Sequence, residues 1–393
     1  MKNNNLKFYH EKHKQLKNLK KGQMRKYYRQ LKVAALIFIF LFLPPLFVFS
    51  TEKSAGEEKK FGFVFLPVIF YMPETKLAVG AGGLMTYRAR AASPLTRPSS
   101  CYFYAVYTQL RQFIAQIRPE IYWNKEKYYL NFLISAENFP DKFWGVGNKT
   151  PDEAEENYTP RAFIFEVVGQ RKIWSSKNFY IGLQGRLEQY KITKFEPGGL
   201  LAREIFPGSR QGKTTSLGIM LSLDTRNNIF FPTSGHYYQF LANFSHKFLG
   251  SDFEKSSIRL DLRRYRPLFS GHVLCWQFLF QTIGGKPGFR HYATLGGDMI
   301  MRGYYSGRYR DKCLLAFQAE YRCPLWKRLS LVGFSGFGEV ADKLKSLQLK
   351  NFKYSYGFGV RFKILPREGT NLRLDLAWGK KTSGIYFSAG EAF

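Results

Sequence analysis

Residues 354–364 read YSYGFGVRFKI, and this stretch decides the fold class. Every second position holds a large apolar or aromatic residue, while the positions between them hold small or basic residues. Successive side chains of a β-strand point to opposite faces, so period-two alternation predicts a strand with two different surroundings. One face is suited to lipid and the other to water.

The same alternation recurs in residues 371–378 and 216–224. A soluble sandwich would also alternate, but here the polar face carries Arg, Lys, Asp and Gly, as in a barrel with lipid outside and water inside. Sixteen such segments can be counted between residues 61 and 393. The sequence therefore predicts an all-β fold, a transmembrane antiparallel β-barrel of about 16 strands.

Composition and loop lengths agree with a barrel. The chain has 393 residues, 18% aromatic residues and 35 Gly, which excludes a disordered protein. Only Val33–Phe49 is long and apolar enough to consider as a membrane helix, so a polytopic helical membrane protein is also excluded. Short turns alternate with long connections, which we expect on the extracellular side: residues 138–159, 192–212, 284–311 and 339–352.

The N-terminal region has the pattern of an export signal. Residues 1–32 carry +10 of the net charge of +31, and an apolar run follows them. We expect residues 1–50 to be a signal peptide with a long basic n-region, starting at Met1 or Met24; an uncleaved signal anchor is the alternative. Residues 51–60 would then be a short linker, and residues 61–393 the outer-membrane barrel.

No pattern of reactive residues indicates chemistry. The four Cys and six His residues lack metal-ligand spacing, and no Ser, His and acid arrangement predicts a catalytic triad. We therefore predict no catalytic residue, no metal and no cofactor. Nucleic acid is not an expected partner, because the basic residues alternate with apolar ones along the strands.

Four segments of the chain resemble a known family. Residues 296–307 (GGDMIMRGYYSG), 318–325 (QAEYRCPL), 224–226 (DTR) and 231–235 (FPTSG) are similar to the bacterial surface antigen barrels of the BamA and TamA superfamily. The resemblance covers residues 61–393. Only about ten residues separate the expected cleavage site from the first strand, which leaves no room for the periplasmic POTRA domains of that superfamily.

The resemblance implies that the long loop of residues 284–311 folds back into the lumen. Arg302, with Gly303 and Tyr304, would lock this loop to the barrel wall. Leu315, Phe317, Ala319 and Tyr321 alternate with Gln318, Glu320 and Arg322, so the strand turns Glu320 inward, where it can meet Arg302. The family also places an acid on the following strand, where this chain has Gly336. The lock would then rest on Glu320 alone, or on Asp298 or Glu339, and the lumen would be more open.

Two further sets of residues match the family. Asp224, Arg226, Pro232 and Gly235 correspond to its mid-barrel turn. Phe387 and the terminal Phe393 share a parity on a final strand, which resembles the signal that delivers outer-membrane barrels to the barrel assembly machinery. Outer-membrane lipid and this machinery are the expected partners.

Three functions stay open. An insertase or translocase could open the seam between its first and last strands for a polypeptide cargo, with a periplasmic partner supplying the missing domains. A passive channel or structural barrel is the alternative, and Arg259, Arg263, Arg361, Lys363 and Arg373 would favour anions. An outer-membrane enzyme is the third.

Overall fold

A computed structural model describes residues 61–72, 76–88, 97–174, 178–365 and 369–393. These residues form an antiparallel β-barrel. The expected signal peptide and linker, residues 1–60, lie outside the described residues, and so do residues 89–96.

The residues described by the structure form nineteen strands. Their bounds are β1 (Phe61–Met72), β2 (Lys76–Tyr87), β3 (Ser99–Thr108), β4 (Phe113–Trp123), β5 (Tyr128–Asn138), β6 (Asp141–Phe143), β7 (Glu156–Trp174), β8 (Phe179–Phe195), β9 (Gln211–Asp224), β10 (Gly235–Ser245), β11 (Lys255–Pro267), β12 (Val273–Gly285), β13 (Ala293–Leu295), β14 (Tyr309–Asp311), β15 (Cys313–Trp326), β16 (Leu329–Ala341), β17 (Lys353–Leu365), β18 (Thr370–Gly379) and β19 (Thr382–Ala389).

Sixteen of these strands form the wall. Strands β6, β13 and β14 have only three residues each; β6 extends the sheet beside β7, and β13 pairs with β14 in a separate hairpin. Each remaining strand pairs antiparallel with the next one along the chain. The predicted fold class and strand number are confirmed.

The two faces of the wall differ as the alternation predicts. On β17, Tyr354, Tyr356 and Phe358 are more than half exposed, whereas Ser355 and Arg361 on the opposite face are buried inside the barrel. Large side chains exposed near the short-turn end form an aromatic girdle typical of membrane barrels: Trp123, Trp174, Phe269 and Trp326.

The helical elements are 3-10 turns of three residues in the loops. Within the described part of the chain, no helix has the length and apolar character needed to cross a membrane.

The end of the chain differs from the prediction that it closes on a strand. Strand β19 ends at Ala389, and Gly390 follows with φ +84°, a conformation that glycine adopts without strain. The chain then turns into the lumen. There Ala392 and Phe393 are buried against Tyr265 and Cys275, whereas Phe387 remains on the exposed outer face.

Candidate functional site: the loop lock in the lumen

The loop between β12 and β15, residues 286–312, is here called the inward loop. It carries the β13–β14 hairpin into the barrel and forms an apolar cluster with the wall. Positive φ angles at Gly296, Gly297 and Gly303 allow the tight turns that this path requires. The buried members of the cluster are Leu279, Ile283, Ala293, Leu295, Met301, Tyr304, Tyr309, Leu314, Ala316 and Val340.

Arg302 at the tip of the inward loop contacts two acids of the wall. Its Nη1 donates to Oδ2 of Asp375 on β18 at 2.6 Å, and its Nη2 lies 3.2 Å from Oε1 of Glu320 on β15. The guanidinium also lies over the Phe334 ring, with its Cζ 3.5 Å from the ring centroid. The structure thus brings Arg302 and Glu320 together, and it adds Asp375, which sequence reasoning placed on the inner face but did not pair.

A second arginine joins the same acids to the end of the chain. Arg361 on β17 donates to Oδ1 of Asp375 at 2.5 Å and to Oε2 of Glu391 at 2.7 Å, and its Nη2 lies 3.5 Å from Glu320. Burial alone would raise the pKa of Glu391, but the facing guanidinium groups of Arg361 and Arg322 hold this pKa below its ordinary value. Glu391 is therefore ionised and ties the C-terminal tail to the wall.

Arg322 on β15 connects this tail to the mid-barrel turn. Its Nη1 donates to the carbonyl oxygen of Pro232 at 3.0 Å, and its Nη2 donates to Phe393 O at 3.2 Å. The loop tip, the C-terminal tail and one periplasmic turn thus meet inside the barrel.

Burial makes this network sensitive to the loss of any member. The side chains of Arg302, Glu320, Arg361 and Asp375 are at most 1% exposed. Removing one partner of a buried ion pair typically costs about 3–5 kcal/mol, because the other charge is left without compensation. The arrangement can therefore hold the loop in one position.

Gly303 and Tyr304 bind the loop to the last hairpin of the barrel. Gly303 N donates to Tyr386 Oη at 2.8 Å, and Tyr386 Oη donates to Tyr304 O at 3.0 Å. A Cβ at Gly303 would lie 2.7 Å from the carbonyl carbon of Trp378 on β18, so only glycine allows this approach. Burial raises the pKa of Tyr304, which keeps its hydroxyl available to donate to Tyr354 O.

Gly336, which stands at the family's acidic position, is explained by packing. A Cβ there would lie 3.2 Å from Sδ of Met301 and 3.0 Å from the Phe317 carbonyl oxygen. The space is filled by the inward loop, so the expectation of a more open lumen at this position is wrong. The proposed substitutes also act elsewhere: Asp298 pairs with Arg373 at 2.8 Å, and Glu339 accepts from Gln348 N.

The first part of the inward loop is anchored to the opposite wall. Arg290 lies 2.6 Å from Glu137 on β5 and 3.3 Å from Glu188 on β8. The next residue, His291, shares a 2.7 Å hydrogen bond with Thr214 on β9. Burial lowers the pKa of His291 to about 3, so its ring is neutral at pH 7. The loop therefore spans the lumen between opposite parts of the sheet.

The mid-barrel residues form a closed periplasmic turn. Arg226 donates to both carboxylate oxygens of Asp224, at 2.9 and 2.8 Å, and Arg97 approaches the same carboxylate at 3.0 Å. Gly235 has φ +96°, and a Cβ there would clash with Thr225 O. These contacts give the motif a structural role in shaping the turn.

Four of the five inner basic residues expected to favour anions face acids, whereas no ion pair of Lys363 is found among the described residues. Arg263 and Arg259 face Asp261 at 2.7 and 3.7 Å, while Arg361 and Arg373 face the acids described above. Paired charges give a weaker preference for anions than the sequence suggests. Among the described side chains, no group of three or more His, Cys, Asp or Glu could hold a metal ion.

The family is decided by a match over most of the barrel. The model of the Omp85 superfamily domain matches residues 111–393. The chain belongs to the Omp85 superfamily. This membership confirms the resemblance inferred from the loop, turn and strand motifs and identifies a bacterial outer-membrane barrel. No curated protein sequence matches the chain.

Solved structures show the same fold at low sequence identity. BamA from Haemophilus ducreyi lacking POTRA domains 1–3 has 13% identity and a TM-score of 0.53, covering 85% of this Omp85 chain and 70% of that chain. CdiB from Acinetobacter baumannii has 12% identity and a TM-score of 0.53, covering 84% and 60%. CdiB from Escherichia coli has 11% identity and a TM-score of 0.50, covering 86% and 63%. The Omp85 chain thus spans less than two thirds of each CdiB chain.

Proposed function

We propose that this Omp85 barrel takes part in the insertion or translocation of polypeptides at the outer membrane. The observation that carries the proposal is that the inward loop grips the last hairpin of the barrel. Arg302 binds Asp375 on β18, Asp298 binds Arg373 on β18, and Gly303 binds Tyr386 on β19. The hairpin beside the seam is therefore held from inside.

The last strand is suited to movement once that grip is released. Strand β19 has eight residues, whereas β7 and β8 have 19 and 17. A short strand forms few ladder hydrogen bonds, and an open sheet edge can pair with an incoming strand. The inward loop would hold this hairpin in place until cargo or a periplasmic partner displaces the loop.

The proposal is tested by depleting the protein and quantifying the proteins of the outer membrane and of the surface or secreted fraction. We expect selective loss of particular barrels or surface proteins. Wild-type protein and Arg210→Gln, a change in an exposed loop pair with Glu204, should restore them. Arg302→Gln, produced at a normal amount, should restore them incompletely.

An unchanged proteome after depletion would refute this role and favour the passive channel or structural barrel. Single-channel recording in planar bilayers would then distinguish those two. If the barrel is a channel, recordings of the wild-type protein should show opening events. Arg302→Gln, which releases the loop, should make these events more frequent.

A further inference from the structure

Two basic side chains lie directly opposite each other on the outer face of the barrel. Arg161 on β7 is the cross-strand partner of Lys191 on β8, and both side chains are exposed. Directly opposed side chains of an antiparallel pair have Cβ atoms about 4.5–5.5 Å apart, and like charges at such positions destabilise the sheet. Among the described residues, neither side chain forms an ion pair.

A third cation completes the cluster. Lys213 on β9 is exposed on the same outer face, one step diagonal from Lys191, because Lys191 pairs with Gln211 and Gln189 pairs with Lys213. We call Arg161, Lys191 and Lys213 the cationic patch. Two acids in the adjoining loops, Glu196 and Asp252, accept hydrogen bonds from the backbone NH groups of Asn157 and Lys213. Three cations beside these two acids leave a local excess of positive charge.

The position of the patch along β7 identifies what covers it. The outward residues that follow Arg161 are Phe163, Phe165, Val167 and Gly169, and the next outward residue is Arg171. Ten residues of strand rise about 34 Å, and a strand tilt of about 40° reduces this to about 26 Å along the membrane normal. The outward apolar band of such barrels is about 25 Å tall.

Arg161 and Arg171 thus lie at the two lipid headgroup levels. Arg161 is at the end with the long loops, which faces the cell exterior, and Arg171 is at the end with the short turns. Three exposed cations on adjacent strands at the outer headgroup level attract anionic lipid headgroups.

We propose that the cationic patch binds the phosphate groups of a phosphorylated glycolipid in the outer leaflet of the membrane. The bridging phosphate neutralises the opposed Arg161 and Lys191, and the acyl chains of the same lipid lie against the apolar band below. Arginine contributes a planar fork that matches phosphate geometry, and lysine contributes a point charge.

The test titrates the purified full-length barrel in neutral detergent with bisphosphorylated lipid A. The double change Arg161→Gln with Lys191→Gln should weaken binding about thirtyfold, because each cation near an anionic surface contributes about fivefold. Arg171→Gln is the matched control, since it removes an arginine from the same face of the same strand at the other headgroup level. It should leave the affinity unchanged.

Changes in the ligand test the chemistry independently. Because the double variant retains Lys213, lipid A without phosphates should bind the wild-type barrel at least as weakly as the double variant binds the phosphorylated form. Inorganic phosphate alone should bind far more weakly than the lipid. Equal binding of phosphorylated and phosphate-free lipid A, or equal losses in Arg171→Gln and the double variant, would overturn the proposal. Tight binding of inorganic phosphate alone would overturn its assignment to a lipid.

A stability measurement distinguishes loss of lipid binding at the patch from misfolding of the variant. Lys191→Gln should raise the midpoint of thermal unfolding in neutral detergent, because it removes a like-charge repulsion. The same change should lower the midpoint in nanodiscs that contain bisphosphorylated lipid A. A shift of the same sign in both media would contradict the site.

Discussion

The sharpest prediction concerns the pair formed by Arg302 and Asp375. Arg302→Gln removes a charge that contacts Asp375 at 2.6 Å and Glu320 at 3.2 Å. Both acids retain Arg361, so we expect the loss of stability to lie at the lower end of the range for buried pairs, about 3 kcal/mol. Asp375→Asn should cost more, about 4–5 kcal/mol, because its carboxylate serves both Arg302 and Arg361.

The two changes should not be additive. In the double variant the charges disappear together, so the total loss should be about 2 kcal/mol smaller than the sum of the single losses. Guanidinium unfolding in detergent, followed by tryptophan fluorescence, measures these values. Trypsin cleavage within residues 303–312 reports separately whether the inward loop has left the lumen.

The matched control is Arg210→Gln, which breaks an exposed ion pair with Glu204. This substitution should lower the free energy of unfolding by at most about 1 kcal/mol. Unchanged unfolding of Arg302→Gln, or additive effects in the double variant, would refute the idea that the pair locks the loop. Loss of stability without faster cleavage would show that the network stabilises the wall rather than the loop.

Three further predictions concern the tail, the loop anchor and the loop tip. Phe393→Ala should lower the free energy of unfolding in guanidinium by about 3–4 kcal/mol, because this ring is buried. Phe387→Ala, on the lipid face, should change this free energy little. Equal effects of the two changes would contradict the buried tail. The pKa of His291 in the folded protein, about 3, lies below the ordinary 6.5. The neutral ring therefore contributes fully to the free energy of unfolding above pH 6.5, and about 2 kcal/mol of this contribution is lost when the pH falls to 5. In unfolding experiments from pH 8 to 5, His291→Gln should reduce this dependence of stability on pH. Gly336→Asp should destabilise the barrel, because its side chain enters the space of Met301; an unchanged or raised unfolding midpoint would count against that packing.

The alternation of residues was sufficient to predict the wall and the side chains that face inward. It placed Glu320, Arg361 and Asp375 inside the barrel, because parity on a strand determines the face. Parity carries no information about contacts across the lumen, so the pairing of Arg302 with Asp375, 73 residues further along the chain, could not be derived. The nearness of Arg302 to Glu320 was available only through the family resemblance.

The end of the chain shows the opposite failure. The shared parity of Phe387 and Phe393 predicts a strand through Gly390, although a glycine near the end of a strand indicates a break. A positive φ at Gly390 directs the last three residues into the lumen. Glu391 holds these residues there by accepting a hydrogen bond from Arg361.

The buried C-terminal tail bears on the order of events during assembly of this barrel. A receptor that recognises Phe393 needs that ring to be accessible, yet in the finished molecule the ring is buried against the inner face of β11 and β12. We expect any recognition of this ring to precede closure of the barrel, because closure buries the ring. We therefore expect a completed barrel not to compete with unfolded chains for a receptor of this ring.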